Sequence, residues 1–259
     1  MAYISKDVVA FWGGENLGNQ LQRFIESLSG GKIIANEGAN KILEIYSKKY
    51  FGSDVDFKKD IIPVFEDEFA FGIENTNSGY AYDLIINIDA KKSEIIHRLA
   101  DGFAKTGGVF EEKTIEHTLS DGTVGEEIVS VPAETVRDKT TYENMDIYGI
   151  KFGENKGVFY TLFDNKVAVS NNIDSLKKII DISIKKSNSL KLSPIFEKLI
   201  NPILKNSDEV SYFNLEKLLP MVFKDKKDIP FFLIPFSKIS SGNNYFDDGI
   251  ATVNYVEIN

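Results

Sequence analysis

Cysteine is absent from this chain of 259 residues. Disulfides, thiolate nucleophiles and cysteine-ligated metals are therefore excluded, while the compartment stays open, because a cysteine-free chain suits the cytoplasm and an export route equally. Histidine is nearly absent, with only His97 and His117. A three-histidine metal centre is impossible, and neither residue belongs to a His-Glu-x-x-His set. Both are expected to be solvated or locally hydrogen-bonded rather than catalytic. No Gly-x-Ser-x-Gly elbow occurs, which removes the common serine-hydrolase signature. Long apolar runs are missing too. The segment 229–236 carries Pro230 and Pro235 and is too short to cross a bilayer. Met1 to Lys6 is followed only by the short apolar run Val8 to Trp12, so no signal peptide is read. A soluble chain is expected, with membrane association only through an anchor outside it.

Positive charge is in deficit. Lysine and arginine number 30 against 39 aspartates and glutamates, a net charge of −9. Phosphate backbones and anionic headgroups repel such a chain, so nucleic acid and acidic membrane surfaces are poor partners. The densest basic stretch, Lys224 to Lys227, is interrupted by Asp225 and followed by Asp228.

Phenylalanine, by contrast, is abundant at 19 residues. That weight of large side chains points to a bulky core or to an apolar cavity. Trp12, Phe159 and Phe163 are the candidates for lining a ligand site, with simple core burial as the plainer reading. The stretch Gly157 to Ile184 is the most informative about fold. It reads as two antiparallel strands, a tight turn and an amphipathic helix folded back on them. Val158, Tyr160 and Leu162 share one face of the first strand, and Phe159 and Phe163 the other.

The remaining chain alternates similar pieces. Val8 to Gly13 reads as a strand, followed by a helix from Leu17 to Leu28 with Asn16 as cap. A second helix covers Asn36 to Phe51 and a short one Asp56 to Ile62, stopped by Pro63. Phe69 to Ile73 and Tyr80 to Ile88 form a hairpin across a turn at 75–79. Tyr80, Tyr82, Leu84, Ile86 and Ile88 alternate onto one face, Asp83 and Asn87 onto the other. Asp89 leads into a helix to Phe103. Gly107 to Val131 is a polar hairpin around Asp121-Gly122. Pro132 to Asn144 reads as a loop and Ile147 to Phe152 as a strand. Ser193-Pro194 opens a helix that Pro202 divides. Val210 to Phe213 is a strand, and Asn214 caps a helix from Leu215 to Val222. Ile229 to Ser240 reads as an extended strand, whose prolines suggest an edge or a bulge. Asp247-Asp248-Gly249 turns into a last strand, Ile250 to Ile258.

Constellations able to carry chemistry are weak. Gly13 to Gly18 sits between a strand and a helix, where phosphate loops occur, but the spacing is wrong and a capped turn explains it. The acidic groups Asp54/Asp56, Glu66 to Glu68 and Asp247/Asp248 lack calcium-loop spacing and read as turns and solvated approaches to strands. No catalytic residue, cofactor or metal site is assigned.

Strand, strand, helix occurs at Phe69 to Phe103 and again at Val158 to Ile184, which predicts a duplicated unit. The domain reading is one α+β domain over 1–259, or two intimately packed halves, 1–145 and 146–259. Its sheet is expected to be antiparallel and curved, with helices on one face. The run Gly157 to Ile180 resembles the bacterial family catalogued as domain of unknown function 3352. Leu192 to Phe196, Glu209 to Leu219, and Phe57 to Pro63 with Glu68 to Phe71 look like further blocks of that family. The resemblance implies a domain outside the cytoplasmic membrane behind an N-terminal anchor. The expected function is a non-catalytic extracytoplasmic binding or scaffold domain of a bacterial envelope protein, with an unknown protein or an apolar small molecule as partner. Alternatives are a carrier of an apolar ligand or lipid between sheet and helices, and a carboxylate-dependent glycan hydrolase.

Overall fold

A computed structural model describes residues 2–16, 18, 33–65, 67–77, 79–106, 110–118, 122–152, 156–223, 225–246 and 249–258. The helix expected over Leu17 to Leu28, apart from Gly18, and the turn residues Asp121, Asp247 and Asp248 fall outside these. Strand β1 (Ala10–Gly14) precedes helix α1 (Ile33–Phe51), which ends where Gly52 takes a φ of 97°. A π turn (Phe57–Ile61), capped by the Asp56 carboxylate, runs into a 3-10 turn (Ile62–Phe65). Pro63 lies inside that second turn rather than stopping the first, at a position where its missing N–H costs nothing. Then come β2 (Phe69–Thr76), β3 (Gly79–Asn87), α2 (Ser93–Thr106), β4 (Phe110–Thr118), β5 (Val124–Pro132), β6 (Thr135–Tyr142), β7 (Met145–Phe152), β8 (Gly157–Phe163) and β9 (Lys166–Ser170). Helix α3 (Ile173–Lys185) starts at Asn172, whose side chain accepts from the amides of Asp174 and Ser175. A π turn (Phe196–Ile200) leads into α4 (Asn201–Leu204), with Pro202 at its start. The chain finishes with β10 (Glu209–Asn214), α5 (Leu215–Val222) capped by Asn214, β11 (Phe236–Phe246) and β12 (Gly249–Ile258).

The fold is α+β with antiparallel sheets. The larger sheet has ten strands in the order β12-β11-β10-β1-β2-β3-β9-β8-β7-β6, and β4 pairs with β5 as a separate ribbon. Blocks of strands from the two sides of residue 145 alternate across the larger sheet: β12-β11-β10, β1-β2-β3, β9-β8-β7 and then β6.

Three expectations are corrected. The segment 132–144 is not a loop, because β6 pairs residue by residue with β7. As the last strand of the sheet it is free to be polar, and Arg137, Asp138 and Lys139 hide its two-residue period. The segment 229–240 is neither one strand nor an edge, although the pairing of β11 with β12 does shift register between Phe236 and Lys238. Pro230 accepts a hydrogen bond that closes a 3-10 turn (Phe231–Leu233), and β11 begins only after Pro235. It then lies inside the sheet between β10 and β12, where a proline would break the ladder. The third concerns layers. Helices cover both faces of the sheet, not one. Neighbouring residues along single strands enter different cores: Ile85, Phe159 and Ala168 pack with Leu176, Ile179 and Ile180 of α3, whereas Ile86, Tyr160 and Val167 pack with Ile96 of α2. The two strand-strand-helix units exist and meet through β3 and β9, but their helices lie on opposite faces.

Candidate functional site

One end of the sheet gathers four chain segments around an open polar cleft of about 620 Å³. Strand register explains the convergence. Gly14 at the end of β1 is opposite Phe69 at the start of β2, Phe69 is opposite Ile86 near the end of β3, and Asn87 is opposite Lys166 at the start of β9. Residues just beyond these strand ends therefore share a rim: Glu15 and Asn16, Asp67 and Glu68, Ile88 and Asp89, Asp164 and Asn165.

Backbone bonds fix that rim. Asp164 and Asn165 have φ of 47° and 57°, the paired left-handed positions of a tight hairpin turn, which Asp and Asn tolerate better than other side chains. The Ile88 N–H donates to the Asn165 carbonyl at 2.8 Å and the Asn87 N–H to the Glu68 carbonyl at 2.8 Å. Asn87 Nδ2 also donates to Glu68 Oε2 at 3.2 Å. Glu15, Asp67, Glu68, Asp89 and Asp164 bring carboxylates, against one lysine, Lys166, among the described lining residues. Such a concavity attracts cations and repels anions. From the sequence, Asp67 and Glu68 belong to a solvated strand approach and Asp89 to the lead into a helix, and none of the five is assigned to a site. No local motif marks them, because only the sheet register unites segments so far apart in the chain.

Beside the cleft a recess of about 60 Å³ is walled by Tyr3, Phe69, Ala70 and Ile85. Tyr3 meets Phe163 edge-on at 5.5 Å, and Lys166 Nζ stands 5.1 Å from the Tyr3 ring centre. Phe163 thus touches the wall of the recess from within the core. Phe159 and Phe163 are buried together in the core on the α3 side. Trp12 lies on the opposite face, half-buried, edge-on to Phe69 at 4.8 Å. Its Nε1 donates to the buried carboxylate of Glu209, whose other oxygen accepts from the Tyr245 hydroxyl. Burial, and then that bond, push Tyr245 up to about 12. The structure therefore brings two of the three aromatic candidates together and leaves Trp12 across the sheet.

Both histidines have local partners. His97 Nδ1 is 2.9 Å from the Tyr160 hydroxyl, and the ring lies edge-on to Tyr148 at 4.9 Å. Burial pushes Tyr160 up to about 12, so its phenol stays protonated at neutral pH. His117 Nε2 is 3.6 Å from Glu127 on the β4–β5 ribbon. A third polar cluster is buried beneath α3. Asp83 Oδ2 accepts from Ser175 Oγ at 2.6 Å, and Glu74 Oε1 accepts from Lys178 Nζ at 3.0 Å and from Ser5 Oγ at 3.3 Å. Asp83 Oδ1 and Glu74 Oε2 are buried without a hydrogen-bond partner among the described residues. Among those residues, no group of three or more His, Asp or Glu is placed to hold a metal ion. No helix among them is long and apolar enough to cross a membrane.

No protein-family model matches the chain, and no curated protein does. Solved structures of TP0453 are similar to it in outline. Crystal form I has a TM-score of 0.47 at 9% identity, covering 98% of this chain and 76% of that one. Crystal form IV has a TM-score of 0.46 at 9% identity, covering 97% and 77%. Crystal form III has 0.44 at 9% identity, covering 99% and 78%.

Proposed function

We propose that the chain is a non-catalytic binding domain of a bacterial envelope protein, and that its binding surface is the acidic cleft at the β1–β2–β3–β9 end of the sheet. The cleft itself carries the reading. Its five carboxylates come from four segments held by strand ends and backbone hydrogen bonds, so the charge is presented on a rigid frame. An open acidic concavity of this kind suits a lysine- or arginine-rich segment of a partner protein. Placement on the extracytoplasmic side is supported by the resemblance of Gly157 to Ile180 and its companion blocks to domain of unknown function 3352.

The test is a titration of isotope-labelled protein with a lysine-rich peptide. Amide shifts are expected at Glu15, Glu68, Asn87, Asp89 and Asn165, with affinity falling as salt rises. Asp67 and Asp89 are exposed. Removing both charges, as Asp67→Asn with Asp89→Asn, is expected to cost roughly 1–2 kcal/mol, about tenfold in affinity. Shifts that avoid the cleft, or an unchanged affinity in the double variant, would remove the reading.

A further inference from the structure

The ten-stranded sheet ends in two strands of opposite character. β6 carries three successive charges, Arg137, Asp138 and Lys139, ion-paired with Asp101, Lys151 and Asp146 but still 37–55% exposed, and a row of charges of this kind disfavours pairing at an exposed edge. β12 has β11 on one side and, among the described residues, no strand on the other. Ile250, Val253, Tyr255, Val256 and Ile258 are exposed along it, on both of its faces. Its one formal charge is Glu257, which Lys198, at 2.5 Å, and Lys238 hold in a double ion pair. Those two bonds keep that carboxylate down at about 2. β12 is therefore a long apolar edge without a guard.

The strand is also a palindrome of polarity. About Val253, Thr252 mirrors Asn254, Ala251 mirrors Tyr255, and Ile250 mirrors Val256. We propose that β12 is the interface of a two-fold dimer, in which a second copy of this chain adds its own β12 antiparallel with Val253 opposite Val253. A two-fold contact uses one patch twice, so the patch must complement itself. In this register apolar meets apolar at 250/256 and 251/255, and polar meets polar at 252/254. Glu257 comes opposite Gly249, so no like charges meet. Pairing also satisfies the outward row of backbone N–H and C=O groups on β12. The paired stretch spans only about 23 Å. A contact of that length falls short of the roughly 1,200 Å² typical of stable complexes, so the dimer is weak and concentration-dependent.

The absence of cysteine makes the register testable. Val253→Cys places a single thiol on the strand, and opposed residues in antiparallel strands have Cα atoms about 4.5–5.5 Å apart, within disulfide reach. Under mild oxidation V253C is expected to form covalent dimer at least about tenfold faster than Thr140→Cys on the charged β6 edge. Equal rates overturn the proposal. Val253 is 50% exposed, so Val253→Lys and Val253→Glu bury no new charge in the monomer, and circular dichroism checks their fold. In sedimentation velocity each variant alone is expected to be monomeric, because like charges meet on the two-fold. Their equimolar mixture is expected to recover dimer, because lysine then meets glutamate. A wild-type protein that stays monomeric at every concentration reached, or a mixture no more associated than its parts, overturns the pairing.

Discussion

Asp83 faces α3 from the middle of β3. Its Oδ2 accepts from Ser175, while its Oδ1 is buried without a hydrogen-bond partner among the described residues. Glu74 is its diagonal neighbour on the hairpin, since Gly72 pairs with Asp83 and Glu74 with Ala81. Burial is the first cause that raises the Asp83 pKa, and the Glu74 charge adds to it; the Ser170 and Ser175 hydroxyls and then Lys178 act the other way. The folded state therefore holds the Asp83 proton more tightly than the unfolded chain. Stability is then lost as pH rises from the ordinary carboxylate range through the raised value. Asp83→Asn keeps an oxygen for Ser175 and removes the buried charge. It is expected to stabilise the protein by about 1–2 kcal/mol at neutral pH, with the gain shrinking as pH falls through the raised value and vanishing below the ordinary aspartate range. Urea melts across that pH range measure it. A loss of stability of equal size at every pH would mean that the buried charge costs nothing and that the amide cannot replace the carboxyl group. The alternation of β3 marks Asp83 as a residue opposite the Tyr80–Ile88 face, and it is. What alternation misses is that this second face is covered, because Ser175 and Lys178 arrive from a helix almost a hundred residues on.

Between elements, the tightest contact joins α1 and α2. A Cβ at Gly102 would overlap the Phe51 carbonyl at the end of α1, and Thr106 Oγ1 donates to the Tyr50 carbonyl at 2.8 Å. In an isolated helix, Gly→Ala gains about 1 kcal/mol. Here Gly102→Ala must push the helices apart, and a net loss of about 1–3 kcal/mol is expected. The sign decides: a thermal melt showing stabilisation would mean that the two backbones do not meet. The glycine is unremarkable in the sequence, although both helices are read from their periodicity. The same holds for the hairpins β2–β3 and β8–β9, whose apolar alternation is strong and whose turns carry Asn, Asp and Gly. Elements with mixed signals are the ones misread. β6 is too charged to look like a strand, and Pro230 and Pro235 mark the approach to β11 rather than β11 itself. The antiparallel α+β class was therefore legible, whereas two-sided coverage was not, since β8 shows two apolar faces but β2 and β3 of the same sheet carry Glu74 and Asp83 on the second face. The cleft was illegible for a related reason. Glu15, Glu68, Asp89 and Asp164 are ordinary turn residues until register places them on one rim.

At the scale of the whole molecule, the sheet interleaves distant segments. Ala10 pairs with Phe213 on one side and Ile73 on the other, Asp83 pairs with Ser170, and Tyr142 with Met145. The core on one face joins Ile4, Val8, Phe11, Ala70 and Ile85 to Leu176, Ile180, Leu190 and Phe196. Division at residue 145 would strip β1 of β10, β3 of β9 and β6 of β7, and would open that core along its length. Each exposed strand edge then offers unpaired backbone to solvent and to other chains, and apolar burial falls below what must offset chain entropy. Fragments 1–145 and 146–259 are therefore expected to lack a cooperative melt when expressed separately and to regain one when co-expressed. Far-UV circular dichroism and the dispersion of amide resonances read the outcome. A dispersed spectrum from either fragment alone would make the chain two packed units that share a sheet, instead of one unit that cannot form without both. The same interleaving predicts slow folding, because the pairing of Ala10 with Phe213 must close a loop of about 200 residues before the contacts between β1 and β10 reward it.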